Sequence, residues 1–440
     1  MIGDKIEVNI AGGLDIDLPR MIRVRQKFEC LELENITASV VEQLKDPAIR
    51  EKIKPGMSIA VGCGSRGIAN VAECALAVIN ELKSLGAEPF IFPAMGSHGA
   101  ATAEGQVKVL ASFGISEQTM GVPVKSSMEV VQFGELDNGM PVYFDKNAAE
   151  ADAVVLVCRV KAHTNFRGPI ESGICKMLVI GAGKIRGASS THWYGFDSFA
   201  ELIPKGAEHI MQHVNFLFGV AMVENAEDRT ALVEVVPGEK VLEREPELLS
   251  KSRQWMPKLQ FDDIDVLVID RIGKNITGAG ADPNITGRNA RGTEWDANPR
   301  IKKIAILGLT EESDGNATGI GAADVITMQV FKDFDPSKTY ANVIASTLLD
   351  GAAIPMIMNT DEEAVQLAVK TVLRKLPLDV SIVHIANTLE ITTIDVSENL
   401  LPYIQANPDK FEVLGELKPL AFDEQGNISL MPSHGVKGDE

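Results

Sequence analysis

The chain has 440 residues, 45% of them hydrophobic and 23% charged, with a formal net charge of −19. That length exceeds what one core usually serves and predicts two or three domains. The acidic balance argues against nucleic acid or an anionic membrane as partner, because the basic surface that neutralises phosphates is missing.

Residues 1 to about 50 read as a short strand or hairpin and a helix ending near Asp46-Pro47. An α/β rhythm then begins. MSIAVGC (57–63) is a strand, GSRG a tight turn, and IANVAECALAVINELKSLG a helix with apolar residues at 68, 71, 75, 78, 79 and 82, closed by Gly86. EPFIFPA is a second strand, running into MGSHGAAT and a helix from near Thr102. Residues 121–144 read as a hairpin turning at Asp137-Asn138-Gly139. AVVLVC, ending at Cys158, is another strand, followed by a loop rich in Gly and Pro, where open α/β sheets place ligands. A helix from Ser198, paired strands (LFGVAMVEN, TALVEVV) and a charged helix over 240–255 complete the first domain.

IDVLVID (264–270) restarts the pattern, so the domains are expected at 1–258 and 262–396. The second contains KKIAILGL, helices near 321–332, 337–349 and 361–374, and the strand VSIVHIA. The tail 397–440 is expected to rejoin the first domain. The fold class predicted is α/β, two α/β domains with a cleft between them. The five cysteines (30, 63, 74, 158, 175) lack CxxC spacing and read as reduced thiols. MIGDKIEVNI has no apolar signal core and no run nears the ~20 apolar residues of a membrane span, so a cytoplasmic protein is expected.

Chemistry concentrates in CRVKAHTNFRGPIESGICKMLVIGAGKIRGASSTHW (158–193). His163 sits in the loop after a strand. Lys176 falls in the apolar setting GICKMLVIG, which disfavours an ammonium ion and prepares its amine for covalent chemistry. His192 follows. Upstream, GCGSRG (62–67) joins helix-start N–H groups at Gly64 and Ser65 to the Arg66 guanidinium, a cradle for phosphate or carboxylate. His98 lies at the end of a strand.

These residues resemble the lactate racemase family, whose members carry a nickel-pincer nucleotide tethered to a lysine. The order Arg66, His98, His163, Lys176-Met-Leu-Val-Ile-Gly181, His192 matches the family's elements. The resemblance implies that Lys176 holds the nucleotide, with Gly64 and Ser65 beside it, and that His192 binds nickel. It implies His98 and His163 as paired acid–base groups, and Arg66 with Lys274 as grips on a substrate carboxylate. Two departures stand out. Cys63 replaces the aspartate of the family's Asp-x-Thr-Arg element, and the segment from His163 to Lys176 is about one turn longer than usual.

The implied reaction is inversion of a 2-hydroxy acid, in a protein loaded by cofactor-maturation enzymes. Phe166, Arg167 and Glu171 make the loop more polar than a bare methyl group requires, which points to a sugar acid or dicarboxylate. Rival readings are a non-catalytic nucleotide- or anion-binding protein, and a nicotinamide-dependent dehydrogenase, for which no GxGxxG follows a first strand. A zinc hydrolase on His209 and His213 lacks a third ligand. Lys184 is the nearest competitor to Lys176.

Overall fold

The computed structural model describes residues 5–64, 67–289 and 299–433. In chain order the strands are β1 (Met21–Gln26), β2 (Ser58–Cys63), β3 (Glu88–Pro93), β4 (Val130–Glu135), β5 (Pro141–Asp145), β6 (Ala153–Arg159), β7 (Phe216–Glu224) and β8 (Thr230–Pro237). They continue with β9 (Asp263–Ile269), β10 (Arg300–Ile306), β11 (Val325–Thr327), β12 (Met356–Met358), β13 (Ile382–Ile385), β14 (Thr393–Ser397) and β15 (Phe411–Val413). The chain divides into two units, one of residues 29–256, the other of the described residues up to 28 and from 257 onward.

The unit of residues 29–256 is built on the sheet β3-β2-β6-β7-β8, parallel except for β7 against β8. Helices cover both faces of such a sheet, so its strands are aliphatic almost throughout, and β6 is buried from Ala153 to Cys158. The helix Val71–Ser84 lays Cys74, Val78 and Leu82 on the sheet at helical spacing. Val78 and Leu82 each contribute about 1.5–3 kcal/mol, and a charge at Val78 would break the face. The helix stops where Gly86 takes φ +81°, a conformation that costs glycine least. The β4–β5 hairpin turns at Asp137-Asn138-Gly139, with Gly139 at φ +82°.

The other unit carries the sheet β12-β11-β10-β9-β13-β14-β1-β15. Its first five strands are parallel, and β14, β1 and β15 add antiparallel. Two expectations change here. Residues 5–28 and the described part of the tail 397–440 belong to this unit, because β1 inserts between β14 and β15 and buries Val24 opposite Ile394. Strand pairing is non-local, and a short apolar strand does not announce its partner. The helix expected over 321–332 opens as β11, whose β-branched residues pair with β10, and Thr327 then caps the helix Met328–Asp333. Among the described residues no helix is long and apolar enough to cross a membrane.

Candidate functional site

In the first sheet β2 leads through its helix to β3 on one side, while β6 leads to β7 on the other. The chain therefore diverges at the carboxyl ends of β2 and β6, the place where open α/β sheets bind ligands. Gly64, His98 and His163 stand on the loops that leave β2, β3 and β6.

β2 ends at Cys63, whose thiol burial pushes up to about 12, so it stays neutral and cannot supply the anion an aspartate would. Gly64 follows, and a Cβ there would stand 3.3 Å from Met177 Cε, so this turn runs against the residue after Lys176. Ser65 and Arg66 lie outside the described residues. The His98 turn closes on the next helix through two glycines: a Cβ on Gly99 would meet Gln106 N at 2.6 Å, and one on Gly105 would meet Gly99 O at 2.0 Å. Buried Gln106 donates to the carbonyls of Gly96 (3.0 Å) and His98 (3.3 Å), leaving His98 exposed above.

The His163 loop is organised from within. Glu171, 1% exposed, accepts the N–H of His163 at 2.6 Å, that of Gly168 at 3.0 Å and the Arg253 guanidinium at 2.5 Å. Arg167 donates to the His163 carbonyl at 2.7 Å, and Phe166 packs 4.6 Å from the His163 ring. Phe166, Arg167 and Glu171 thus hold the loop together, and their polarity says nothing about a substrate, contrary to the sequence expectation. The Asn165 N–H donates to His163 Nδ1 at 3.0 Å. A ring nitrogen that accepts carries no proton, so the neutral ring holds its proton on Nε2.

Lys176 closes the short helix Ile174–Lys176, and a π-helical turn, Met177–Gly181, follows directly. Such turns widen the backbone ladder and recur at functional sites. Gly96 N–H donates to Gly181 O at 2.9 Å, which ties this turn to the His98 loop. Lys176 is half-buried. His192 comes back beside it, its ring 5.1 Å from both Phe196 and Phe199, and Phe196 is also 5.9 Å from His163. Burial, and then the Lys176 charge, pull His192 down to about 4. It is a neutral imidazole at physiological pH, the form a metal takes. Among the described residues no group of three or more His, Cys, Asp or Glu is placed to hold a metal.

Lys184 is fully buried, with Nζ 3.0 Å from Asp145 Oδ2 and donating to Gln106 Oε1 at 3.1 Å. Lys274 stands in the other unit, where Nζ donates to Asn342 Oδ1 and Asn342 Nδ2 donates to Thr318 Oγ1 at 2.8 Å. His209 shares a 2.7 Å hydrogen bond with the Phe133 carbonyl, and His213 Nδ1 shares one of 2.8 Å with the His209 carbonyl, a structural arrangement. His384 pairs with buried Asp270 at 2.6 Å, and His434 lies outside the described residues. Sequence reasoning missed Phe196, Phe199, Arg253 and Glu245, which carry no motif and act only through the fold.

Residues 16–193 match the model of the lactate racemase N-terminal domain. A solved structure, the lactate racemase apoprotein from Thermoanaerobacterium thermosaccharolyticum, is similar with a TM-score of 0.51 and 14% identity, over 83% of this chain and 94% of that one. At that identity the likeness shows the fold. No curated protein matches the sequence.

Proposed function

We propose that this chain is a member of the lactate racemase family and acts as a racemase or epimerase that inverts the hydroxyl-bearing carbon of a 2-hydroxy acid. The observation that carries the reading is Lys176, at the entry to a π-helical turn, beside a neutral His192 near the end of the next helix: an amine and a metal-ready imidazole brought together. These residues fit the nickel-pincer nucleotide: Lys176 would hold it, His192 would meet its nickel, and Gly64 with Ser65 would lie along it. When bound, that group supplies a hydride acceptor, which the reaction needs because a carbinol C–H is far too weakly acidic for histidine to remove as a proton.

The chain's own task is to move the hydroxyl proton and hold the acid. His98 and His163 stand on loops flanking the end of β2, suited to two mirror-related substrate poses. With its proton on Nε2, His163 is set to donate to the substrate oxygen. To receive the hydroxyl proton there, Nδ1 must release the Asn165 N–H and take the ring proton. Arg66 is the cation proposed for the carboxylate.

The test is co-expression with cofactor-maturation enzymes, peptide mapping and a chiral assay over a panel of 2-hydroxy acids. An adduct on Lys176 and loss of turnover by about 10²-fold in His98→Ala and His163→Ala, with the adduct retained, are expected. Wild-type turnover in both variants would sink the paired-histidine mechanism. An adduct on another lysine would sink the tether.

A further inference from the structure

The helix Val241–Trp255 serves two site segments from one side. Near its end Arg253 holds Glu171, which holds the His163 N–H. Near its start Glu245 reaches the segment that bears Lys176. Its carboxyl is fully buried, and Oε2 accepts the N–H of Cys175 at 2.9 Å. Oε1 has no hydrogen-bond partner. It is admitted only because residue 173 is glycine, since a Cβ there would lie 2.1 Å from it. A carboxyl kept in an apolar interior with one oxygen unmatched costs stability, and such a group persists where its other contacts are needed.

We propose that Glu245 is a positioning residue for Lys176: by holding the Cys175 N–H it caps the helical turn that presents the lysine. The Cys175 amide is one of those at the start of that helix with no partner inside it, and no side chain of the helix's own N-cap residue, Gly173, can satisfy it. The cap thus comes from a distant helix, and it fixes the backbone immediately before the reacting amine. Burial raises Glu245 to about 7, against the pull of its bonds to Cys175, which agrees with a carboxyl held for its contacts.

The meaning of this inference rests on Lys176 being the tether, but its test does not. The unmodified chain is treated with limiting acetic anhydride, and acylation of Lys176 is measured by mass spectrometry against exposed Lys205 as internal standard. Glu245→Ala and Gly173→Ala are expected to raise Lys176 labelling about tenfold, the factor that one hydrogen bond to a charged acceptor commands. Glu245→Gln, which keeps an acceptor for the Cys175 N–H, is expected to restore wild-type labelling. Unchanged labelling in Glu245→Ala overturns the cap, as does equal labelling in Glu245→Ala and Glu245→Gln. Should Glu245→Ala fail to fold, the other two variants decide: the cap stands if only Gly173→Ala labels faster, and falls otherwise. Failure of the cofactor reading would appear instead as a missing adduct with these labelling results intact.

Discussion

Lys176 and Lys184 stand at the two ends of one short stretch, and their surroundings differ in kind. At the Lys176 end the side chain is half-buried beside a neutral imidazole, on a turn widened to π geometry. At the Lys184 end the side chain is fully buried, its backbone has φ +53°, and Nζ meets Asp145, Gln106 and the Pro93 carbonyl. Burial lowers the Lys184 pKa and raises that of Asp145, each offset by the other's charge. A left-handed lysine costs about 1–3 kcal/mol and persists only where surrounding structure over-determines it. The comparison teaches that an apolar neighbourhood does not make a lysine reactive. Lys184 is enclosed in the interior, whereas Lys176 stays half-buried beside His192.

Exchanging the roles gives the largest effects. Lys184→Met strands a buried carboxyl and is expected to cost about 3–5 kcal/mol in denaturant unfolding, while Lys176→Met stays within about 1 kcal/mol of wild type and loses turnover altogether. Adding Asp145→Leu to Lys184→Met should recover part of the loss, because the stranded charge is then gone. Equal stability losses in the two single variants would erase the distinction.

The Lys176 end depends on its supports. Glu171→Ala removes the acceptor shared by the His163 N–H, the Gly168 N–H and Arg253. Turnover of loaded protein is expected to fall about 10²-fold, the scale of a misplaced catalytic group, with the Lys176 adduct unchanged. A loss of adduct would show instead that Glu171 supports the lysine.

The smallest effect is a pH dependence. His192 has a folded pKa of about 4 against an ordinary 6.5, so the unfolded chain binds more protons between those values and stability rises with pH across that window. Glu245, raised from 4.5 to about 7, acts oppositely, stabilising below 4.5 and losing that contribution as pH rises through about 7. Denaturant titrations of unmodified Glu245→Gln should therefore show a steeper rise of stability with pH than wild type, and adding His192→Gln should reduce it. An unchanged slope on adding His192→Gln would show that the rise belongs to another group.

The strand-to-helix rhythm, the glycine stop at Gly86, the hairpin turn at Asp137-Asn138-Gly139 and the order of His98, His163, Lys176 and His192 are legible in the sequence alone. Each rests on local periodicity, turn chemistry or spacing, which a linear reading contains. Which lysine is enclosed is not, because Asp145 reaches Lys184 from the hairpin and Gln106 from another helix. Nor are the duties of Glu171 and Glu245, since a carboxylate in a sequence looks solvated until the fold buries it against N–H groups from elsewhere. The affiliation of β1 and the tail was likewise decided by pairing across more than 350 positions, as between Arg23 and Asp395. Local propensity settles which elements form; only tertiary structure settles which neighbours they meet, and the chemistry of a buried charge is set by its neighbours.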